Sequence, residues 1–355
     1  MKSNLITHSR MSSFKTCRKR HFWEYEVGIR PTTDAKALRM GSAYHLGLDR
    51  LKTNQGIQVA VDSVRGYYDS VVTNTEEQAS SLVFECETVV CMVNGYDWRW
   101  RNQPLDVLVS EMKFNIPLIN PATGASSRLF EMSGVLDGIV RLEDGRLAVL
   151  EHKLQSDSIM PDSDYWPRLQ LDTQCTLYVY AARQLGHDVS TVLWDVAKKP
   201  TIRPSAVPLV DSQGYKIVLD QNGQRVMTKD GKKPRETADT KAGWTLQTRT
   251  MNPDEWVDKL HADITSYPET YFARNEIPRL DQDIEELCEE IWDIQNVLRE
   301  AQRSNRWYRT VHRDTCTYCP FFGLCTSRFN PDTTEVPEGF TVLEHVHPEL
   351  EKLED

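Results

Sequence analysis

Two carboxylates and an amine stand at spacings suited to metal and phosphate chemistry: Asp137, then Glu151 and Lys153 two residues apart. Alternate positions of a strand share a face, so Glu151 and Lys153 point the same way. Asp144-Gly145 is a hairpin turn signal, and a chain that reverses near residue 144 brings Asp137 opposite Glu151. Two carboxylates held together repel, and burial adds to the cost, so a compensating cation is expected. Oxygen ligands favour a hard ion such as Mg²⁺ or Mn²⁺. Lys153 could orient or deprotonate an attacking water while offsetting charge on a phosphate. The competing reading is an exposed cross-strand set in which the three side chains are solvated or salt-bridged.

A second group is 316-CTYCPFFGLC-325, in which Cys316, Cys319 and Cys325 supply three thiolates. A tetrahedral zinc site or an iron-sulfur cube commonly takes four. In a reducing compartment the chain's 8 cysteines are not read as a disulfide framework. Cys86, Cys91, Cys175 and Cys288 lie in apolar stretches and read as core. Cys17 opens the basic and aromatic run 17-CRKRHFWEYEVGIRP-31. There Arg18, Lys19 and Arg20 could contact phosphates beside stacked bases. Equally, Phe22, Trp23 and Tyr25 could pack internally with the cations solvated.

These groups need elements to hold them. Residues 1–104 read as a mostly helical region, with Ser12 or Ser13 as a plausible helix N-cap. Residues 105–200 read as an α/β core, with strands at 107–118, 130–142 and 147–153, a helix at roughly 168–186, and a strand at 190–198. Residues 201–250 are polar and read as an insertion or extended hairpin. Residues 251–330 are expected to be helices plus the cysteine cluster, with Asn252-Pro253 starting one helix and a longer one over about 281–302. Residues 331–355 are an acidic tail. No internal repeat is evident.

The 355 residues, 39% hydrophobic, suffice for a substantial core. A formal charge of −10 argues against a nonspecific nucleic-acid coat. Without a signal-like apolar start or a membrane-length apolar run, the expectation is a cytoplasmic protein with no membrane partner. No P-loop is present, so any unwinding must come from a partner.

In order, 41-GSAYH-45, 134-GVLD-137, 151-EHK-153 and 174-QCTLY-178 resemble the PD-(D/E)XK nuclease superfamily, specifically its RecB-like branch. The resemblance implies a restriction-endonuclease-like fold, a central mixed sheet flanked by helices. It implies metal ligands at His45, Asp137 and Glu151, with Glu111 as a further acid, catalysis by Lys153, and Gln174 and Tyr178 beside the site. The Cys17 segment and the cysteine triplet resemble those of CRISPR-associated adaptation exonucleases and AddB nuclease domains. That resemblance implies a [4Fe-4S] cluster on Cys17, Cys316, Cys319 and Cys325, although four cysteines suit zinc equally by residue type. The expected activity is that of a metal-dependent DNA exonuclease acting on single-stranded ends, in recombination or repair, with a helicase or recombination partner and a phage-encoded origin as one option. The alternative is a DNA-binding or scaffolding protein on the same fold.

Overall fold

The computed structural model describes residues 4–73, 75–332 and 335–351. The chain begins with β1 (Leu5–Ile6), α1 (His8–Thr16), α2 (Arg18–His21), a π-helical turn (Phe22–Val27) and β2 (Ile29–Pro31). Next come α3 (Lys36–Lys52), α4 (Ile57–Asp69) and α5 (Glu76–Trp100), then β3 (Asp106–Ile119), β4 (Ser126–Arg141) and β5 (Leu147–Gln155). α6 (Tyr165–Arg168) and α7 (Thr173–Gln184) lead to β6 (Val189–Lys198). The insertion carries β7 (Ala206–Pro208), β8 (Val218–Leu219), β9 (Thr245–Leu246) and β10 (Thr248–Thr250). α8 (Pro253–Ser266), α9 (Pro268–Tyr271), β11 (Phe272–Pro278), α10 (Asp281–Ser304), α11 (Arg313–Thr317), α12 (Phe322–Thr326) and β12 (Phe340–Val342) complete it.

The expected α/β core is present: a mixed sheet in which β5 and β6, and β1 and β4, are parallel and the other pairs antiparallel. Both faces are covered. α7 and α10 bury Val179, Leu287 and Ile291 on one side, while α3, α4 and α5 bury Tyr44, Val64 and Val89 on the other. Two-sided burial explains why β5 and β6 read as continuous apolar runs rather than alternating ones.

The sheet forks. β3 lies along one edge of β4, whereas the opposite edge is shared: β1 pairs at Glu131 and Met132, and β5 pairs from Gly138 to Arg141. Between Met132 and Gly138 that edge carries no strand partner among the described residues, and Asp137 sits at the opening. Gly138 is fixed by the close approach of β3: a Cβ there would lie 2.7 Å from the Val109 carbonyl oxygen.

Several elements differ from the sequence reading. α1 is capped by Thr7, which accepts from the Arg10 N–H, so Ser12 and Ser13 fall inside the helix. β11 occupies a region read as helical and forms a sheet edge against β6. Asn252 does cap α8, with a reciprocal capping box to Glu255. In the acidic tail, β12 pairs with β2 and Glu349 accepts from the Thr7 hydroxyl at 2.6 Å; residues 333, 334 and 352–355 lie outside the described part.

The insertion is a ribbon of successive tight turns. Glycines 214, 223, 231 and 243 all have positive φ. Asp211, Asp220 and Asp239 each accept backbone N–H groups two residues or more downstream, the Asx-turn chemistry expected of such residues.

Candidate active site

The last rungs of the β4–β5 ladder, from Arg141↔Leu147 to Gly138↔Leu150, carry the register to Asp137 facing Glu151. Asp137 Oδ2 accepts the His152 backbone N–H at 2.7 Å, just past the final rung. Its Oδ1 lies 3.5 Å from His45 Nδ1, delivered by α3, and its carbonyl oxygen accepts from Lys52 Nζ at 2.8 Å. Burial would raise the Asp137 pKa, but His45, His152 and Lys52 outweigh it and hold the carboxyl well below the usual range.

Glu151 is 3% exposed. One carboxylate oxygen accepts from the Lys153 ammonium and the other is buried without a hydrogen-bond partner. Burial pushes this carboxyl up to about 7; Lys153 opposes the rise and Asp137 adds to it. Burial would lower the Lys153 pKa, yet Glu151 and Asp137 raise it above the ordinary lysine value. At the same face, Gln174 Nε2 donates to the Tyr178 hydroxyl at 2.9 Å, one turn along α7. Tyr178 is raised by its burial and by Glu151.

Glu111 lies between the β3–β4 rungs Ser110↔Gly138 and Met112↔Leu136, so its register position faces Asp137. It is partly buried and has a φ of 46°, an unusual backbone conformation for a non-glycine residue. Glu111, Asp137 and Glu151 therefore occupy neighbouring positions across three strands.

Residues not singled out in the sequence complete the surroundings. Asp172 caps α7, and its charge acts on both Lys153 and His8 of α1. On the opposite face, the His152 ring lies 3.5 Å from Asp195, which accepts from Tyr96 at 2.5 Å and Arg274 at 3.0 Å. His152 also sits edge-on to His45, ring centroids 6.3 Å apart. No local motif signals Asp172, His8, Asp195, Tyr96 or Arg274, which come from five separate elements.

Cys17, Cys316, Cys319 and Cys325 line one cavity of about 190 Å³ together with Arg20 and Arg309. Cys17 accepts a hydrogen bond from the Thr310 N–H at 3.4 Å. Cys86, Cys91 and Cys175 are buried elsewhere, and Cys288 packs at the core edge. The three basic residues are engaged: Arg18 stacks over Phe14 and Tyr308, Lys19 lies 4.3 Å from the ring centres of Phe22 and Trp23, and Arg20 pairs with Glu24 at 2.9 Å.

Among the described residues, no three His, Cys, Asp or Glu side chains are gathered closely enough to hold a metal ion as they stand. The donor chemistry at the sheet fork nevertheless suits a hard cation: two carboxylates and an imidazole, with a buried, unpartnered Glu151 oxygen. The Lys153 ammonium now supplies the positive charge beside Glu151. Among the described residues no helix is long and apolar enough to cross a membrane.

The sequence profile of the PD-(D/E)XK nuclease superfamily matches residues 5–326. Among solved structures, the chain is similar to a "Putative exonuclease" from Eubacterium rectale, with 10% identity over 75% of this chain and 81% of that one and a TM-score of 0.34. It is also similar to SSO0001, with 10% identity over 93% of this chain and 89% of that one and a TM-score of 0.27. No curated protein matches the chain.

Proposed function

The chain belongs to the PD-(D/E)XK nuclease superfamily, and from that membership we infer that it is a metal-dependent DNA exonuclease of the RecB-like branch, acting on single-stranded ends. The observation that carries this reading is the sheet fork itself: Asp137 and Glu151 face each other there, and Lys153 contacts Glu151 from the same strand.

Nucleases of this superfamily generally use divalent metals; when bound, such an ion polarises the phosphate and makes a water more acidic. His45, Asp137 and Glu151 would hold Mg²⁺ or Mn²⁺, with Glu111 as a further acid. Lys153 places an ammonium where an attacking water and a scissile phosphate would meet. It can orient that water and offset the charge that builds on the phosphate. Gln174 and Tyr178, tied to each other, would contact the substrate strand or brace Lys153 and Glu151. Arg18, Lys19 and Arg20 enter as a further candidate contact to nucleic acid, although Arg18 and Lys19 also stack on aromatic rings and Arg20 pairs with Glu24.

Cys17, Cys316, Cys319 and Cys325 would hold a [4Fe-4S] cluster, a reading supported by the single cavity they share. A brown anaerobic preparation with broad visible absorption and stoichiometric iron supports it; a colourless protein carrying stoichiometric zinc overturns it.

Digestion of 5′- and 3′-labelled single and double strands with Mg²⁺ or Mn²⁺ tests the activity. Stepwise mononucleotide release, abolished in Asp137→Ala, is expected. Undiminished degradation by Asp137→Ala or Lys153→Ala would sink the site assignment, and DNA binding without degradation would favour a scaffolding role. A helicase or recombination partner would supply unwinding for duplex substrates.

A further inference from the structure

The insertion reverses the charge of the rest of the molecule. Residues 201–250 carry nine Lys/Arg and five Asp/Glu, a net charge of +4 in a chain whose total is −10. Of these cations, Arg225 pairs with Asp211, Arg249 pairs with Glu255, and Arg235 stacks 4.6 Å over Trp244. By contrast Lys216, Lys229, Lys232, Lys233 and Lys241 are exposed, and none forms an ion pair among the described residues. Three of them crowd one turn, 229-KDGKKPR-235.

The ribbon has internal order. Val218 and Val226 are buried within it, β8 pairs with β9, and the Asp-capped turns fix its bends. Lysines on an exposed ribbon also discourage edge-to-edge pairing. That role needs only charge of either sign, and does not account for an excess of one sign against a negative molecule.

The root of the ribbon places it. It leaves the sheet directly after β6, where the Lys199 N–H donates to the Gln155 carbonyl at 2.7 Å. Gln155 is two residues beyond Lys153 on β5, about 7 Å at ordinary strand rise. β7 and β10 close the base, and Ile202 and Val207 pack on the helical layer that also contains His45's helix. The basic ribbon therefore springs from the catalytic end of the sheet.

We propose that the 201–250 ribbon is a nucleic-acid clamp, whose lysines at 229, 232 and 233 grip the substrate's phosphate backbone as it enters or leaves the site. This rests on the nuclease reading and adds to it the means by which a negative protein retains a polyanion. Cations on one surface release condensed counterions from a nucleic acid, so their contribution appears in the salt dependence of binding.

The test uses the full chain without divalent metal, fluorescein-labelled single-stranded and duplex oligonucleotides, and fluorescence anisotropy over a salt series. Replacing Lys229, Lys232 and Lys233 together by Glu should weaken binding at least tenfold. It should also reduce the slope of log Kd against log salt by about 2, at roughly 0.7–0.9 per phosphate contact. The matching triple Lys→Arg variant should bind like the wild type. Unchanged affinity and slope in the Glu variant, with wild-type binding and cleavage intact, overturns the clamp alone. A wild-type protein that neither binds nor cleaves nucleic acid overturns the nuclease reading and the clamp with it.

Discussion

At Glu151, burial pushes the carboxyl up to about 7, while the neighbouring Asp137 is held ionised by His45, His152 and Lys52. The two acids of one site are thus split in proton affinity, a pattern common where environment sets function. A cation must displace the proton on Glu151, so affinity for Mg²⁺ should fall about tenfold per pH unit below about 7 and level off above it. Calorimetric titration at pH 6, 7 and 8 checks this; a flat profile would place the metal away from Glu151. Lys153→Met, which keeps bulk and removes charge, should lower kcat by roughly 10²–10⁴-fold while leaving metal affinity measurable, as expected for loss of a group acting in proton transfer. This scale was largely legible from sequence, because strand alternation and hairpin counting place Asp137, Glu151 and Lys153 without tertiary knowledge. Asp172, Asp195 and Lys52 were not legible: each reaches the site through packing between distant segments, and an isolated acid or lysine in a sequence carries no mark of that.

Between elements, the edge strand β11 does more than extend the sheet. Directly after it, Arg279 is 3% exposed and donates to the Thr176 hydroxyl and to the carbonyls of Leu169 and Asp172, clamping the start of the helix that carries Gln174 and Tyr178. Arg279→Met should remove these charge-assisted hydrogen bonds and leave a cavity at the helix start, destabilising the fold by about 1.5–3 kcal/mol. Urea unfolding should show the loss, and activity should fall beyond what stability explains as Gln174 loosens. Gly138 provides a second check. Gly138→Ala forces a Cβ against the Val109 carbonyl and should destabilise by about 1–3 kcal/mol. The strand was missed because 272-FARNEIP-278 alternates poorly and follows a helix, so only its pairing with β6 reveals it. The turns of the insertion carry no hydrophobic period, so their aspartates read as a series only through the Asx hydrogen bonds.

Across the whole molecule, the two chain ends form one lobe. Trp23 and Ile29 pack with Phe321, Leu324 and Phe329, β12 pairs with β2, and the four cysteines lie within the same lobe. Cys316→Ser should therefore bleach any cluster and also lower the melting temperature and expose residues 5–31 to protease, read together by visible absorption, calorimetry and limited proteolysis. Loss of colour with unchanged protection would show that side-chain packing alone closes the lobe. The cysteine grouping was legible as three plus one, but the pairing of the tail with the first strands was not, since two short strands about 310 residues apart leave no local signature.

That closure imposes an order on synthesis. Residues 5–31 leave the ribosome ahead of the sheet fork, yet their partners at 340–349 emerge only after about 310 further residues. At roughly 5–20 residues per second this interval is on the order of 15–60 s. By its end every residue of the sheet fork has been made, while the partners of β2 and Thr7 have only just emerged. A segment translated early is therefore locked in place late, and the lobe closes only when residues 340–349 arrive.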